Sequence, residues 1–477
     1  MQAESLLGHA AELLRQMLRS AQPPDSVAQI YFRQRSYVGS KERRFLAEVG
    51  FAALRCYGTL QWCLRRVPPF VTAAPPEWLA VIAMGYLSPR LGHPQLTAAF
   101  TSAVRPPLGF DREECWENAL LQAGWGGGAR PWLEGLWRAL CEVEREARRL
   151  VTQPLERWTP EEWEGFAACC SLPVWIARRW LDNPWYRPTP AQILQLCRAL
   201  CAPAAPCLRV NTLRASRDSV LQALRQQGVE ALPTVFSPVG IRLGERVALQ
   251  ESKLYRDGIV EIQEEGSQLV GYAVAPCPGW RLWDACAGAG GKTLHLAVLQ
   301  EDCGEIWATD VELARLRALR QRLRRACIGS VQVVHLRHGV LPRHFPRSFD
   351  ALLLDAPCSG LGTVRRTPTL KWRLTPEALR RHCQRQFRLL ELYSPLVRPG
   401  GVLVYATCSL MPEENFGIAS QFAKAHPEWE LEPIEPTLRS AGILLPNSFL
   451  ESPYCLLVPS VHGTDGFFIA RFRRRFR

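Results

Sequence analysis

Lysine is almost missing from this 477-residue chain: of 58 basic residues five are lysine and the other 53 arginine. Long apolar runs are missing too. No window approaches 18 uninterrupted apolar residues, so a membrane-spanning helix is not expected. No Cys-x-x-Cys pair occurs among the 17 cysteines, and "CRALC", with Cys197 and Cys201, has no matching His or Cys pair, which argues against structural zinc or any other metal. The cysteines are odd in number and many fall inside helical patterns, so a disulfide framework is not expected either. The first residues, "MQAESLLGHAAELLRQMLRS", lack an early basic cluster, and Glu12, Arg15 and Arg19 break their apolar pattern at helical spacing. That is unlike a signal peptide, and a cytoplasmic monomer is expected.

What remains describes a packed protein. Hydrophobic residues make up 47% and charged residues 22%, which excludes disorder as the overall state. A chain this long holds roughly three domains. The formal charge of +13 attracts polyanions, so nucleic acid is the first partner to consider. Genomic base composition also favours arginine codons without altering surface charge, which makes each surviving lysine informative. Two of them, Lys292 and Lys371, fall inside the motifs below.

Residues 1–150 read as an all-helical domain, with segments such as "KERRFLAEVGFAALRCYGTLQWCLRRV" and "PEWLAVIAMGYL". In the first, Phe45, Val49, Ala53 and Cys56 recur every three to four residues, and Ser40 is placed to cap the helix. Residues 151–204 are a helical connecting segment closing in the linker-like "CAPAAPC". From residue 205 to 477, after an α+β extension, strands alternate with helices: "WRLWDACA", "GGKTLHLAVLQ", "GEIWATD", "ELARLRALRQRLRRA", "VQVVHL", "FDALLLD", "GGVLVYAT". That rhythm predicts a doubly wound α/β fold with a Rossmann-like parallel sheet. Leu313, Leu316, Leu319 and Leu323 share one face of the arginine-rich helix, which suits a helix lying on the sheet. The closing "GFFIARFRRRFR" suits a final edge strand with a basic tail.

The stretch "DACAGAGGKT" follows a strand and opens a helix, where glycines let a ligand approach and the helix N-terminus favours an anion. A P-loop would need a glycine where Cys286 stands, although Gly291, Lys292 and Thr293 match it. The competing ligand is S-adenosylmethionine, with its amino-acid end at the loop and its ribose on the acid that ends the next strand, Asp310. Arg315, one helical turn on, is placed to brace that acid or the ligand. Asp310 also suits a helix cap, and the two roles are compatible.

Two further strands end in cysteines: "LLDAPC" in Cys358 and "VYATCS" in Cys408. Ends of parallel strands are where open α/β sheets bind ligands, so Asp355, Cys358 and Cys408 should face one crevice. Arg365, Arg366 and Lys371 follow closely and supply a positive field that favours thiolate. A thiolate adding to carbon 6 of cytosine makes carbon 5 nucleophilic, and an acid on the pyrimidine edge, Asp355, stabilises the electron-rich ring.

Together "DACAGAGGKT", "LLLDAPCSGLGTVRRTPTLKW" and "VYATCSLMPEEN" resemble the motif set of the RsmB/Sun family of RNA 5-methylcytosine methyltransferases, over roughly the stretch from "LRVNTL" to "GTDGFFIARFRR". The resemblance implies a class I S-adenosylmethionine methyltransferase domain, with Cys408 as nucleophile and Cys358 as the residue that helps release the product. It also implies cofactor contacts from Cys286, Ala287, Gly288, Ala289, Gly290, Gly291 and Lys292, together with Asp310, Arg315 and Asp355. Where the family commonly has a Gly-Asp pair reaching adenine, "LRHGV" has His338. The helical start, with "YVGSKERRFLAEVGFAALR", resembles the NusB-like RNA-binding domain of RsmB-type enzymes, favouring ribosomal RNA over transfer RNA.

For substrate, "GTVRRTPTLKWRLTP" offers Arg365, Arg366 and Lys371 to phosphates and Trp372 to a splayed base. The same stretch also suits an ordered loop with Trp372 buried. Three rival functions stay open: a P-loop-like ATPase, a non-catalytic RNA-binding assembly factor and a thiol redox pair.

Overall fold

Thr159 and Thr189 begin helices by the same device. Each hydroxyl accepts from the backbone N–H three residues on, while Glu162 and Gln192 reach back to the capping residue's own N–H at 2.8 Å. Ser40 does not cap its helix. That helix is Ser40–Arg55 and its cap is Gly39, whose N–H is taken by Glu42 at 2.6 Å.

The computed structural model describes residues 3–67, 129–244, 249–446 and 453–476, so "PEWLAVIAMGYL" lies outside the described residues. The chain divides into two units, Met1–Pro203 with Thr363–Leu374, and Ala204–Gly362 with Thr375–Arg477. The first is helical. Helices Ala3–Arg19, Ser40–Arg55, Tyr57–Arg66, Ala129–Leu150, Pro160–Cys169 and Pro190–Cys201 bury one face each, including Phe45, Val49, Ala53 and Cys56.

Thr363–Leu374 packs into this helical unit, which the sequence did not suggest. Lys371 is 1% exposed and donates to the Arg55 carbonyl at 2.6 Å, and the Trp372 indole donates to the Leu54 carbonyl at 3.2 Å. Lys371 and Trp372, expected at the RNA, are thus spent on packing. A buried ammonium bound to a carbonyl is not available to a phosphate.

The second unit holds two sheets. Strands β1 (Cys207–Val210), β2 (Ala231–Pro233), β3 (Gly240–Leu243) and β4 (Val260–Ile262) form an antiparallel sheet in the order β2-β3-β1-β4. The large sheet contains β5 (Arg281–Asp284), β6 (Glu305–Asp310), β7 (Val331–His335), β8 (Phe349–Asp355), β9 (Val397–Thr407), β10 (Trp429–Glu432), β11 (Cys455–Leu457) and β12 (Phe467–Arg474). Its order is β10-β12-β9-β8-β5-β6-β7, with β11 also paired to β12. Strands β7 to β9 and β5 to β6 run parallel; β10, β11 and β12 pair antiparallel. The order reverses between β5 and β8, which opens a crevice at their C-terminal ends.

Two expectations fail here. The sheet is mixed, and β12 is no edge strand, because β9 and β10 flank it. Its arginines belong to the strand, with Arg471 and Arg473 paired to Glu432. Helix Leu313–Ala326 does cover the sheet through buried Leu316, Leu319 and Leu323, each worth about 1.5–3 kcal/mol of burial. Leu313, at the helix start, is exposed.

Candidate active site

Strand β5 ends in Asp284, and the chain then turns through the glycine loop into helix Gly291–Leu299. Gly290 takes φ of 85°, and a Cβ there would lie 2.0 Å from Leu319 Cδ1, so only glycine fits. Arg322 clasps the loop by donating to the Ala289 carbonyl at 2.8 Å, while its other nitrogens hold buried Glu261 of β4. Sequence reading gave Arg322 no role, since one arginine among many in a helix carries no positional signal.

Asp310 ends β6 as expected. Its carboxylate accepts from the N–H of Gly288 at 2.9 Å and of Glu312 at 2.7 Å. Backbone amides brace this acid, and Arg315 does not, its side chain being exposed. The side chain of His338 lies outside the described residues.

Asp355 ends β8, and its Oδ2 meets Lys292 Nζ at 2.7 Å. Burial works against the ammonium, but the charges of Asp355 and Cys408 outweigh it and hold the Lys292 pKa up. The loop lysine therefore joins the Asp355 carboxylate, a pairing that the spacing of 63 residues does not reveal.

Cys358 and Cys408 meet. Their Sγ atoms are 3.4 Å apart, both side chains are partly buried, and both follow neighbouring strands, β8 and β9. Their loops interlock: Gly362 donates to the Cys408 carbonyl at 2.9 Å, and a Cβ on Gly362 would stand 2.1 Å from the Gly466 oxygen. The hydrogen bond to Cys408 raises the Cys358 pKa well above its ordinary value, with burial and the charges of Cys408 and Glu414 adding to it. Either sulfur can donate in this contact, and the raised Cys358 pKa favours its protonated form.

These residues fit S-adenosylmethionine. Asp284 gives one oxygen to the Thr293 hydroxyl at 2.6 Å, while its Oδ1 is buried with no hydrogen-bond partner, as an acceptor awaiting an ammonium would be. Asp310 offers acceptors to a ribose diol, and the helix N-terminus suits a carboxylate.

The Asp284 carboxyl is itself strained by its surroundings. Burial pushes it from 3.8 up to about 7, against the Thr293 hydrogen bond. A carboxyl raised in this way leaves the fold most stable below pH 3.8, and stability is lost as pH rises through about 7. Asp284→Asn should therefore stabilise the ligand-free protein, by roughly 4 kcal/mol near pH 8, with the difference closing toward pH 4. Urea melts across that range check this; parallel pH slopes for the two proteins would rule Asp284 out as the titrating group.

Comparison with known proteins places this geometry. The ribosomal RNA small subunit methyltransferase B of Pseudomonas syringae pv. tomato is 32% identical over 72% of this chain and 73% of its own. The chain belongs to the RsmB/F methyltransferase family. The family described as 16S rRNA methyltransferase RsmB/F matches residues 271–473, and an RsmF/B-like ferredoxin-like domain matches 173–250, which takes in β1, β2 and β3. The methyltransferase B of Yersinia pseudotuberculosis is 28% identical over 98% of both chains. A methyltransferase homologue from Pyrococcus horikoshii, solved by crystallography, is 31% identical, with a TM-score of 0.54 over 67% of this chain and all of its own. The chain is thus a methyltransferase with a class I Rossmann-like domain preceded by a helical NusB-like part. The P-loop reading falls away with it. Among the described residues no helix is long and apolar enough to cross a membrane, and no group of three or more His, Cys, Asp or Glu is arranged to hold a metal ion.

Proposed function

We propose that the protein methylates carbon 5 of a cytosine in RNA, with 16S ribosomal RNA as its substrate and S-adenosylmethionine as methyl donor. Residues 205–477 carry the chemistry, 1–150 bind RNA, and 151–204 connect them. The observation that carries this reading is the contact of two thiols, 3.4 Å apart, beside the Lys292–Asp355 pair.

Cys408 Sγ, as thiolate, bonds to carbon 6 of the cytosine, and the ring electrons move toward carbon 5. Asp355 holds the pyrimidine edge with Lys292 keeping its carboxylate in place. S-adenosylmethionine, held by Cys286–Lys292, Asp284 and Asp310, supplies an electrophilic methyl group. Once carbon 5 is methylated, solvent water takes the proton from it, the electron pair of that C–H bond restores the ring double bond, and the sulfur–carbon 6 bond breaks with its electrons leaving on Cys408 Sγ. The departing Cys408 thiolate is received by the S–H of Cys358, which stabilises it as a leaving group. Arg365 and Arg366 sit in the same segment as Lys371. Arg365 donates to the Pro203 carbonyl at 3.1 Å.

The family relatives named ribosomal RNA small subunit methyltransferase B support ribosomal RNA as substrate. Bisulfite sequencing of RNA from cells with and without the gene tests it. One cytosine of the small-subunit RNA should lose its protection when the gene is removed. Loss confined to transfer RNA would transfer the same chemistry to that substrate, and no loss anywhere would end the proposal.

A further inference from the structure

The thiol pair needs something to hold it, since cysteine side chains on two separate loops have no reason of their own to stay in contact. The residues that follow them supply it. Ser359 gives both its N–H, at 2.8 Å, and its hydroxyl, at 2.5 Å, to the carboxylate of Glu414. The Ser409 hydroxyl reaches the same oxygen at 2.5 Å, so the two serine oxygens lie 2.9 Å apart. Gln386 adds a fourth donor at 3.0 Å.

Glu414 is fully buried, and no cation pairs with it among the described residues. It sits in a π-helical turn, Glu413–Gly417, a form often found at functional sites. Burying a carboxylate costs several kcal/mol, which four donors offset but which apolar packing would avoid altogether. Stability alone does not call for a charge here.

We propose that Glu414 is the positioning residue of the thiol pair, clamping the two strand ends so that Cys358 and Cys408 stay in register. The inference rests on the catalytic roles given above. Its negative charge also acts on Cys358, raising its pKa and so opposing a thiolate at that sulfur. Tyr405 on β9 and Cys408 just after it act on Cys358, Lys292 feels the charge of Cys408, and Cys383 and Glu413 adjoin Glu414.

The test uses the full chain and Glu414→Gln, which keeps shape and removes charge. Two quantities are read: steady-state methylation of RNA, and the pH profile of iodoacetamide labelling at each thiol by peptide mass spectrometry. The variant should lose about 100-fold in kcat at unchanged KM, and labelling of Cys358 should begin at lower pH. A Cys358 profile identical to wild type overturns the proposal. Ser409→Ala, which removes one donor, serves where the glutamine variant does not fold. A fall in kcat at unchanged KM supports the clamp, and an unmoved kcat overturns it. Should the wild type yield no 5-methylcytosine, the functional reading fails, while the labelling profiles still decide the role of Glu414.

Discussion

Cys408→Ala should abolish methyl transfer, by about 10⁴-fold or more, while S-adenosylmethionine still binds. The substitution removes the only protein atom that forms a bond to the ring in the proposed reaction, and no neighbouring group replaces it. Lys292 is engaged with Asp355, and burial and the charge of Glu414 still act to raise the Cys358 pKa when Cys408 is gone. The glycine loop, Asp284 and Asp310 make no hydrogen bond with the missing sulfur, so the ligand-induced rise in melting temperature should persist. Incorporation of labelled methyl groups and a thermal-shift comparison read the two halves. Turnover above about 1% of wild type would falsify the assignment of the nucleophile.

With Cys358→Ala the enzyme should start its reaction and fail to finish. Addition of Cys408 to carbon 6 does not need Cys358 to bond with the ring, but expulsion does need a group to receive the negative sulfur. Alanine leaves that sulfur without its partner at 3.4 Å. The expected result is a protein–RNA adduct that survives denaturing electrophoresis, rising from trace to the major species, with release of free methylated RNA nearly halted. Cys358→Ala combined with Cys408→Ala should give none. A thiol redox pair predicts the opposite: neither single variant would hold RNA covalently. Normal turnover without adduct in Cys358→Ala would remove this residue from the mechanism.

Much of the methyltransferase domain was legible in the sequence because each parallel strand is a short apolar run closed by a turn, and the candidate site residues stand at the closures. Asp310, Asp355, Cys358 and Cys408 follow from that rule alone. What escaped was decided by distant partners. Strand β12 carries arginines in alternation, as an edge strand would, and only the pairing of β10 with it, with Glu432 meeting Arg471 and Arg473, places it inside the sheet. Lys371 and Trp372 lie close to Cys358 along the chain, which suggested a shared site, yet their partners are carbonyls more than 300 residues away. Glu413 and Glu414 are adjacent and chemically alike. Which of them turns inward depends on the π-helical turn, for which the sequence carries no recognisable pattern.

The segment Thr363–Leu374 has a consequence for anyone who would dissect this protein. Because it is counted with Met1–Pro203, the border at residue 203 marks a seam in space and not a place to cut the gene. A shortened chain starting at residue 204 would carry Lys371, Trp372 and Arg373 with no Arg55, Leu54 or Met17 carbonyl to receive them. A fragment that starts there would have to be redesigned along this stretch before it could stand alone.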